Sequence, residues 1–299
     1  MRFSIWPSPQ RPWTEILELT QHCERTGWDG VYYADHFMPN SGDTKPLEGD
    51  TLECWSVIAA LAAAVPRLRL APLVTSVTYR HPAVLANIAA AVDNISGGRL
   101  LLGLGAGWQE NEHVAYGIEL GTIKQRLDRF EEACEIISAM TRETWTSFTG
   151  EYFNVVDALN QPAPVQTRLP ILIGGGGEKR TLRIAAQYAD EWNSWTDPPT
   201  LAHKRGVLHQ HCDAIGRDPA DIAISTQALL FLSTDEAWLK DKRAMGGIAG
   251  TPAEVTDTIG AYREAGADEI IIPDFTMGPM QRRKDTCDLF MQQVAAHFR

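Results

Sequence analysis

Apolar positions along the 299-residue chain follow two alternating patterns. Short apolar runs typical of buried strands alternate with stretches whose apolar residues recur at helical spacing, as Leu127, Phe130, Cys134 and Ile137 do. The predicted strands are 2–6, 30–34, 68–74, 99–103, 171–173, 191–195, 222–232 and 269–272. The predicted helices are 14–25, 52–65, 82–92, 125–140, 179–188, 201–215, 252–265 and 282–298. Residues 145–167 break the alternation with aromatic and turn-forming residues, which predicts an inserted hairpin and loop.

Eight strand–helix units without a linker predict a single α/β domain over residues 1–299. Such alternation requires a parallel sheet covered by helices, and eight units favour closure into a (β/α)8 TIM barrel. An open, doubly wound sheet is the structural alternative. In a barrel of this kind the active site lies at the carboxyl ends of the strands.

Composition narrows the possible partners. A net charge of −11 argues against nucleic acid, and no apolar run approaches the roughly 20 residues that span a membrane. The segment Met1 to Pro7 resembles a strand and lacks the apolar core of a signal peptide. Five dispersed cysteines form no CxxC pair, so neither a disulfide framework nor a zinc site is indicated. We therefore expect a cytoplasmic protein that acts on a small molecule.

Four consecutive glycines, Gly174, Gly175, Gly176 and Gly177, follow a predicted strand and precede a predicted helix. Glycines at such a junction let the backbone approach a ligand, and the helix amino terminus attracts an anion. A tight turn would need only one or two glycines, so we predict a phosphate site, which Lys179 and Arg180 would assist. The spacing fits neither a P-loop nor a dinucleotide-binding fingerprint. A second glycine-rich segment, Gly103 to Gly107, also follows a strand.

Candidate catalytic side chains also follow predicted strands. Asp35 and His36 come after the second strand, where a histidine is well placed for proton transfer. A structural histidine bonded to a loop carbonyl is the simpler alternative. Glu110 and Glu112 follow the fourth strand, and their simplest interpretation is a solvated surface. Trp192 and Trp195 could pack against a planar ring or belong to the core. Neither an HExxH motif nor a Gly-x-Ser-x-Gly motif occurs, so metal and nucleophilic-triad chemistry are not indicated.

Several segments together resemble the luciferase-like monooxygenase superfamily, and within it the deazaflavin (coenzyme F420)-dependent oxidoreductases. The segments are Gly27-Trp28-Asp29-Gly30, Asp35-His36-Phe37, Tyr79 to Ala86, Ser96-Gly97-Gly98-Arg99-Leu100, Gly103 to Trp108, Gly174 to Gly177 and Ala189-Asp190-Glu191-Trp192. The resemblance extends over nearly the whole chain and implies the same (β/α)8 barrel.

The resemblance also implies a set of site residues. The cofactor ring would lie against the end of the third strand at Leu73 and Thr75, where the family often has a non-prolyl cis peptide. Asp35 and His36 would lie near its reactive edge and carry the catalysis. Further cofactor contacts would come from the phosphate-binding run Gly174, Gly175, Gly176 and Gly177, from Gly107, and from Asn111 near the cofactor tail. Related sugar-phosphate dehydrogenases carry a glutamate where this chain has Trp108, so we expect a larger, less polar substrate.

The predicted function is hydride transfer between C5 of coenzyme F420 and a small organic substrate. An FMN-dependent two-component monooxygenase on the same fold is the first alternative, and a non-catalytic flavin- or deazaflavin-binding protein is the second. The resemblance also implies a homodimer and a separate flavin or F420 reductase, or a dehydrogenase, that supplies reduced cofactor. No metal is expected.

Overall fold

The computed structural model describes all 299 residues, and its elements follow the predicted alternation. The strands are β1 (Arg2–Trp6), β2 (Gly30–Tyr33), β3 (Arg69–Pro72), β4 (Thr75–Ser76), β5 (Leu102–Gly105), β6 (Trp145–Thr149), β7 (Asn154–Leu159), β8 (Ile171–Gly174), β9 (Glu191–Asn193), β10 (Ala223–Gln227), β11 (Leu230–Leu232), β12 (Ile248–Gly250) and β13 (Glu269–Pro273). The helices are α1 (Trp13–Arg25), α2 (Cys54–Ala64), α3 (Pro82–Ser96), α4 (Glu110–Tyr116), α5 (Ile123–Met140), α6 (Thr181–Tyr188), α7 (Pro198–Ala214), α8 (Glu236–Lys242), α9 (Pro252–Glu264) and α10 (Met280–Gln293).

Nine of the strands form one parallel sheet in the order β3-β2-β1-β13-β10-β9-β8-β5-β4. The two ends of this order, β3 and β4, are consecutive parts of the third barrel strand, interrupted only at Leu73 and Val74. A parallel bridge between Leu70 and Leu100 joins β3 to the segment that leads into β5. The sheet therefore closes on itself as an eight-stranded barrel, and the prediction of a TIM barrel is confirmed. No helix is both long and apolar enough to cross a bilayer.

The inserted hairpin predicted over residues 145–167 is present as the antiparallel pair β6 and β7. The prediction of one long strand over residues 222–232 is wrong. Its first part, β10, belongs to the barrel, whereas β11 pairs with β12 in a separate two-stranded sheet. An unbroken apolar run indicates burial but carries no signal for the change of partner. The elements α8 and β12 were also missed, because each is too short to show a helical or strand period.

The interior of the barrel is closed at the amino ends of the strands. Arg2 and Arg69 form ion pairs with Glu191 and Glu269, both of which are almost fully buried. Above this ion network, apolar side chains fill the interior: Trp6, Tyr32, Ala34, Ala71, Leu73, Leu101, Leu172 and Ile271. The barrel interior therefore opens only toward the carboxyl ends, where the glycine-rich segments were predicted.

Three glycines make room for the irregular third strand. The peptide bond between Leu73 and Val74 is cis, as the family resemblance implied. A Cβ atom on Gly105 or Gly174 would lie 2.5 or 2.9 Å from a methyl group of Val74, and one on Gly103 would lie 2.0 Å from the Pro72 carbonyl oxygen. These glycines are thus required by packing inside the protein, whether or not a ligand binds.

Substitution of Gly103 by alanine is expected to destabilise the fold by about 3 kcal/mol or more, because the rigid backbone of Pro72 cannot yield to the new methyl group. The matched control is Gly260→Ala in α9, where a Cβ would meet nothing within 4 Å. That substitution should raise stability by about 0.5–1 kcal/mol, since alanine is the better helix former. Urea denaturation followed by circular dichroism measures both. Equal stability of the two variants would contradict this packing role.

Candidate active site

A cavity of about 680 Å³ opens at the carboxyl ends of the barrel strands. Its lining includes seven of the residues predicted to form the site: Asp35, His36, Leu73, Gly107, Gly174, Gly175 and Gly176. The remaining three, Thr75, Asn111 and Gly177, are not part of the wall. Thr75 and Asn111 are fully buried. The strand ends thus bring most of the predicted residues together, as a barrel requires.

The four glycines of the run differ in their surroundings. Gly174 packs against Val74, and the amide of Gly175 donates to the carbonyl of Asn193 at 2.9 Å. The amides of Gly176 and Gly177 have no acceptor within the protein. These two N–H groups precede α6 and are the ones free to hold an anion.

A lysine that the sequence analysis missed supplies a positive charge beside these amides. Lys204 of α7 lines the cavity, and its Nζ donates to the Gly176 carbonyl at 2.6 Å. Its ion pair with the exposed Glu178 is longer, at 3.4 Å. The prediction that Arg180 assists an anion is not supported, because its guanidinium pairs with Asp128 and Glu131 of α5 at 2.6 and 3.1 Å. Lys204 lies 27 residues beyond the glycine run, and no local motif connects the two.

Asp35 lies at the cavity wall, but its carboxylate is almost fully buried and hydrogen-bonded to neighbouring residues. Its carboxylate accepts hydrogen bonds from both terminal nitrogens of Arg80, at 2.8 and 3.1 Å, and from the Ser76 amide at 3.0 Å. Burial raises the pKa of this carboxyl, although Arg80 and the Ser76 amide act in the opposite direction. The geometry favours a positioning role for Asp35 at the ends of the second and third strands, and its predicted catalytic role stays a prediction.

His36 forms a dyad with Glu112 of α4. The Nδ1 atom of His36 lies 2.7 Å from Oε1 of Glu112. The same oxygen accepts a hydrogen bond from the Tyr79 hydroxyl, and Oε2 accepts one from the Phe37 amide. Burial alone would raise the pKa of Glu112, but the hydrogen bonds from His36, Phe37 and Tyr79 outweigh it and lower the pKa. An ionised carboxylate only accepts, so Nδ1 carries a proton. The second ring nitrogen, Nε2, has no protein partner and is free to exchange a proton at the cavity wall.

Placing Glu112 on a solvated surface was therefore wrong, because this side chain is fully buried. Its neighbour Glu110, on the same helix, is exposed as expected. The run from Glu110 to Tyr116 has four polar residues followed by three apolar ones, without helical periodicity, so it carries no signal for which carboxylate points inward.

A second cavity of about 570 Å³ adjoins the first. The two share four lining side chains: Trp6, His36, Trp108 and Trp195. Trp108 meets the ring of His36 edge-on at 5.5 Å, and 58% of the tryptophan surface is exposed. Trp195 is also exposed, whereas Trp192 is a core residue whose indole nitrogen donates to the Gly175 carbonyl. The free face of His36 therefore lies at the boundary of two adjoining cavities.

A chain of three hydrogen-bonded side chains runs behind the first cavity. The Nδ1 atom of His113 donates to the Gln109 carbonyl at 2.6 Å, so in the neutral ring Nε2 accepts from the Thr78 hydroxyl at 2.7 Å. Burial lowers the pKa of His113, which favours this neutral form. Thr78 must then accept from the hydroxyl of Ser76 at 2.6 Å. Ser76 thus keeps its acceptor lone pairs available to a ligand in the cavity.

Asn111, predicted near the cofactor tail, holds a loop instead. Its amide nitrogen donates to the Pro39 carbonyl at 2.9 Å, and its Oδ1 is buried without a partner. The hydroxyl of Thr75 is likewise buried and unpaired. Both residues lie behind the cavity wall. No cluster of three or more His, Cys, Asp or Glu side chains is arranged to hold a metal ion.

Comparison with known proteins places the chain in a defined group. The model of the family described as luciferase-like monooxygenase matches residues 1–246. The F420-dependent glucose-6-phosphate dehydrogenase of Amycolatopsis mediterranei is 32% identical over 184 residues, which cover 58% of this chain and 50% of that protein. The chain thus spans about half the length of this relative.

Two solved structures share the fold over its whole length. The coenzyme F420-dependent tetrahydromethanopterin reductase of Methanopyrus kandleri has a TM-score of 0.84 at 18% identity, and the match covers 100% of this chain and 99% of the reductase. An F420-dependent secondary alcohol dehydrogenase in complex with an F420-acetone adduct has a TM-score of 0.85 at 19% identity, with 99% and 98% covered. At these identities the likeness establishes the fold.

Proposed function

Because the chain belongs to the luciferase-like monooxygenase family, we propose that it is an oxidoreductase that uses coenzyme F420 to transfer a hydride to or from a small organic substrate. The observation that carries the proposal is the His36–Glu112 dyad at the boundary between two adjoining cavities. The relative from Amycolatopsis mediterranei, whose name includes F420 dependence, supports the choice of cofactor.

The residues of the first cavity fit a deazaflavin. Its volume of about 680 Å³ lies within the usual range for cofactor sites. The free amides of Gly176 and Gly177, together with Lys204, would hold a phosphate, and Leu73 and Val74 would form an apolar wall for a planar ring. When bound, a deazaflavin supplies hydride chemistry at C5 and none of the oxygen chemistry of FMN.

His36 would manage the proton that accompanies the hydride. In the oxidation of an alcohol, Nε2 would accept the proton of the substrate hydroxyl while the carbon that bears this hydroxyl gives up its hydride to the cofactor. In the reverse direction the imidazolium would return that proton to the forming alkoxide. Glu112 fixes the ring with Nδ1 protonated and stabilises the positive charge that appears on it.

Fluorescence titration of the apo-protein with F420 and, separately, with FMN tests the proposed cofactor. We expect F420 to bind at micromolar concentration or tighter, with FMN weaker. Lys204→Gln should weaken F420 binding roughly tenfold, because a charge-assisted hydrogen bond to the phosphate is lost. The matched control is Lys240→Gln, which changes an exposed lysine of α8 that does not line the cavity.

The reverse preference would contradict the proposal and favour an FMN-dependent monooxygenase that receives reduced flavin from a partner reductase. If neither cofactor binds, the phosphate site proposed at the glycine run is contradicted. The homodimer implied by the resemblance, and an enzyme that supplies reduced cofactor, are part of this proposal. Light scattering of the purified protein measures its molar mass and so tests for the homodimer.

A further inference from the structure

We propose that the second cavity binds a carboxylate-bearing molecule with an apolar, planar body, and that Arg11 holds its carboxylate. This ligand's identification as the substrate rests on the proposed function, because His36 lines the same cavity. The binding itself does not depend on any cofactor.

The charge of the second cavity is opposite to that of the whole protein. The chain contains 38 acidic residues and has a net charge of −11, yet no Asp or Glu lines this cavity. Its titratable residues are Arg11 and His36. A concave surface lined by one sign of charge raises the local concentration of ions of the opposite sign. The cavity is therefore suited to an anion.

Arg11 has a guanidinium group without a protein partner. It makes no ion pair within 4 Å and no side-chain hydrogen bond, and its Nε is buried and unpaired. Its charge acts on the carboxyl group of Asp274, whose pKa it lowers against the larger effect of burial. That carboxylate is already occupied by the Ser8 amide at 2.8 Å and by Arg283 at 3.3 Å. Arg11 can thus offer a two-pronged donor to an incoming carboxylate.

Two further polar atoms around this cavity are buried and unpaired. They are the indole nitrogen of Trp6 and the hydroxyl oxygen of Thr51. Buried polar groups in folded proteins nearly always have partners, so three unpaired atoms on residues of one cavity are unusual. All three are hydrogen-bond donors, and this polar character favours an oxygen-bearing ligand over a cation.

Aromatic side chains define the rest of the ligand. Trp108, Trp195 and Phe275 line the cavity and are each at least 40% exposed. Trp6 packs edge-on against both Trp195 and Phe275, with ring centroids 6.0 and 5.2 Å apart. Exposed aromatic surface gathered in a concavity favours a flat apolar partner. The larger, less polar substrate expected from Trp108 is thus expected to carry a carboxylate as well.

Isothermal titration calorimetry of the apo-protein tests this site, with 4-phenylbutanoate and its primary amide as the probes. We expect the carboxylate to bind roughly 10- to 100-fold more tightly than the amide, in proportion to the worth of a charged hydrogen bond. Arg11→Gln should abolish that difference and leave amide binding unchanged, whereas Arg11→Lys should retain part of it. Arg205→Gln, which removes another arginine without an ion pair, is the matched control and should behave as the wild type.

Equal affinities for the two probes, or no saturable binding of the carboxylate, would overturn the proposal. A loss of affinity in Lys204→Gln but not in Arg11→Gln would place the anion in the first cavity and overturn it as well. Carboxylate binding at Arg11 in a protein that binds neither F420 nor FMN would uphold the site and reject the proposed function. The two failures are therefore distinguishable.

Discussion

Replacement of His36 by asparagine is expected to reduce the turnover number by roughly 10²- to 10⁴-fold, the usual worth of a positioned general acid or base. The asparagine amide can still donate to Glu112, so folding and F420 affinity should change little. Turnover would be followed by F420 absorbance, with a substrate found by screening aromatic hydroxy and keto acids. A variant with wild-type turnover would exclude His36 as the proton carrier.

Glu112→Gln extends this test to the residue that positions His36. The glutamine amide can donate to Nδ1 and so permit the tautomer with the proton on Nε2, which cannot accept a proton from substrate. Turnover should fall by a similar factor, and ¹⁵N NMR of labelled histidine should show the proton moving between the ring nitrogens. Glu110→Gln, on the exposed face of the same helix, is the matched control and should change neither quantity.

Asp35→Ala is expected to lower the free energy of unfolding by about 3 kcal/mol, the low end for a broken buried ion pair. The low end applies because Arg80 retains a second partner in Glu53. Thermal unfolding measures the loss, with Asp213→Ala, an exposed residue of α7 without an ion pair, as the control. A fully stable variant without turnover would instead support the catalytic role predicted from the sequence.

The fold could be predicted from the sequence because strand and helix periodicity are local properties. Eight alternating units required a parallel sheet and favoured its closure into a barrel, and the break over residues 145–167 marked the hairpin of β6 and β7. The change of partner between β10 and β11 could not be predicted in this way. It depends on β12, which follows at a distance and has only three residues.

The candidate site was only partly predictable. Residues directly after strands, such as His36 and Gly176, were found because strand ends converge in a barrel. Lys204 and Glu112 reach the same place from helices, where the direction of a side chain depends on how the helix packs. The glycines also had two roles that sequence could not separate. Gly103, Gly105 and Gly174 accommodate the third strand, whereas Gly176 and Gly177 offer free amides.

The ion network of Arg2, Arg69, Glu191 and Glu269 has a consequence for the route by which ligands reach the site. Because these charges and the apolar layer above them close the amino end of the barrel, ligands can enter only at the carboxyl ends of the strands. The two cavities share His36 and three tryptophans, so their occupants would lie side by side with His36 between them. Both molecules would therefore reach the site from the same face of the barrel.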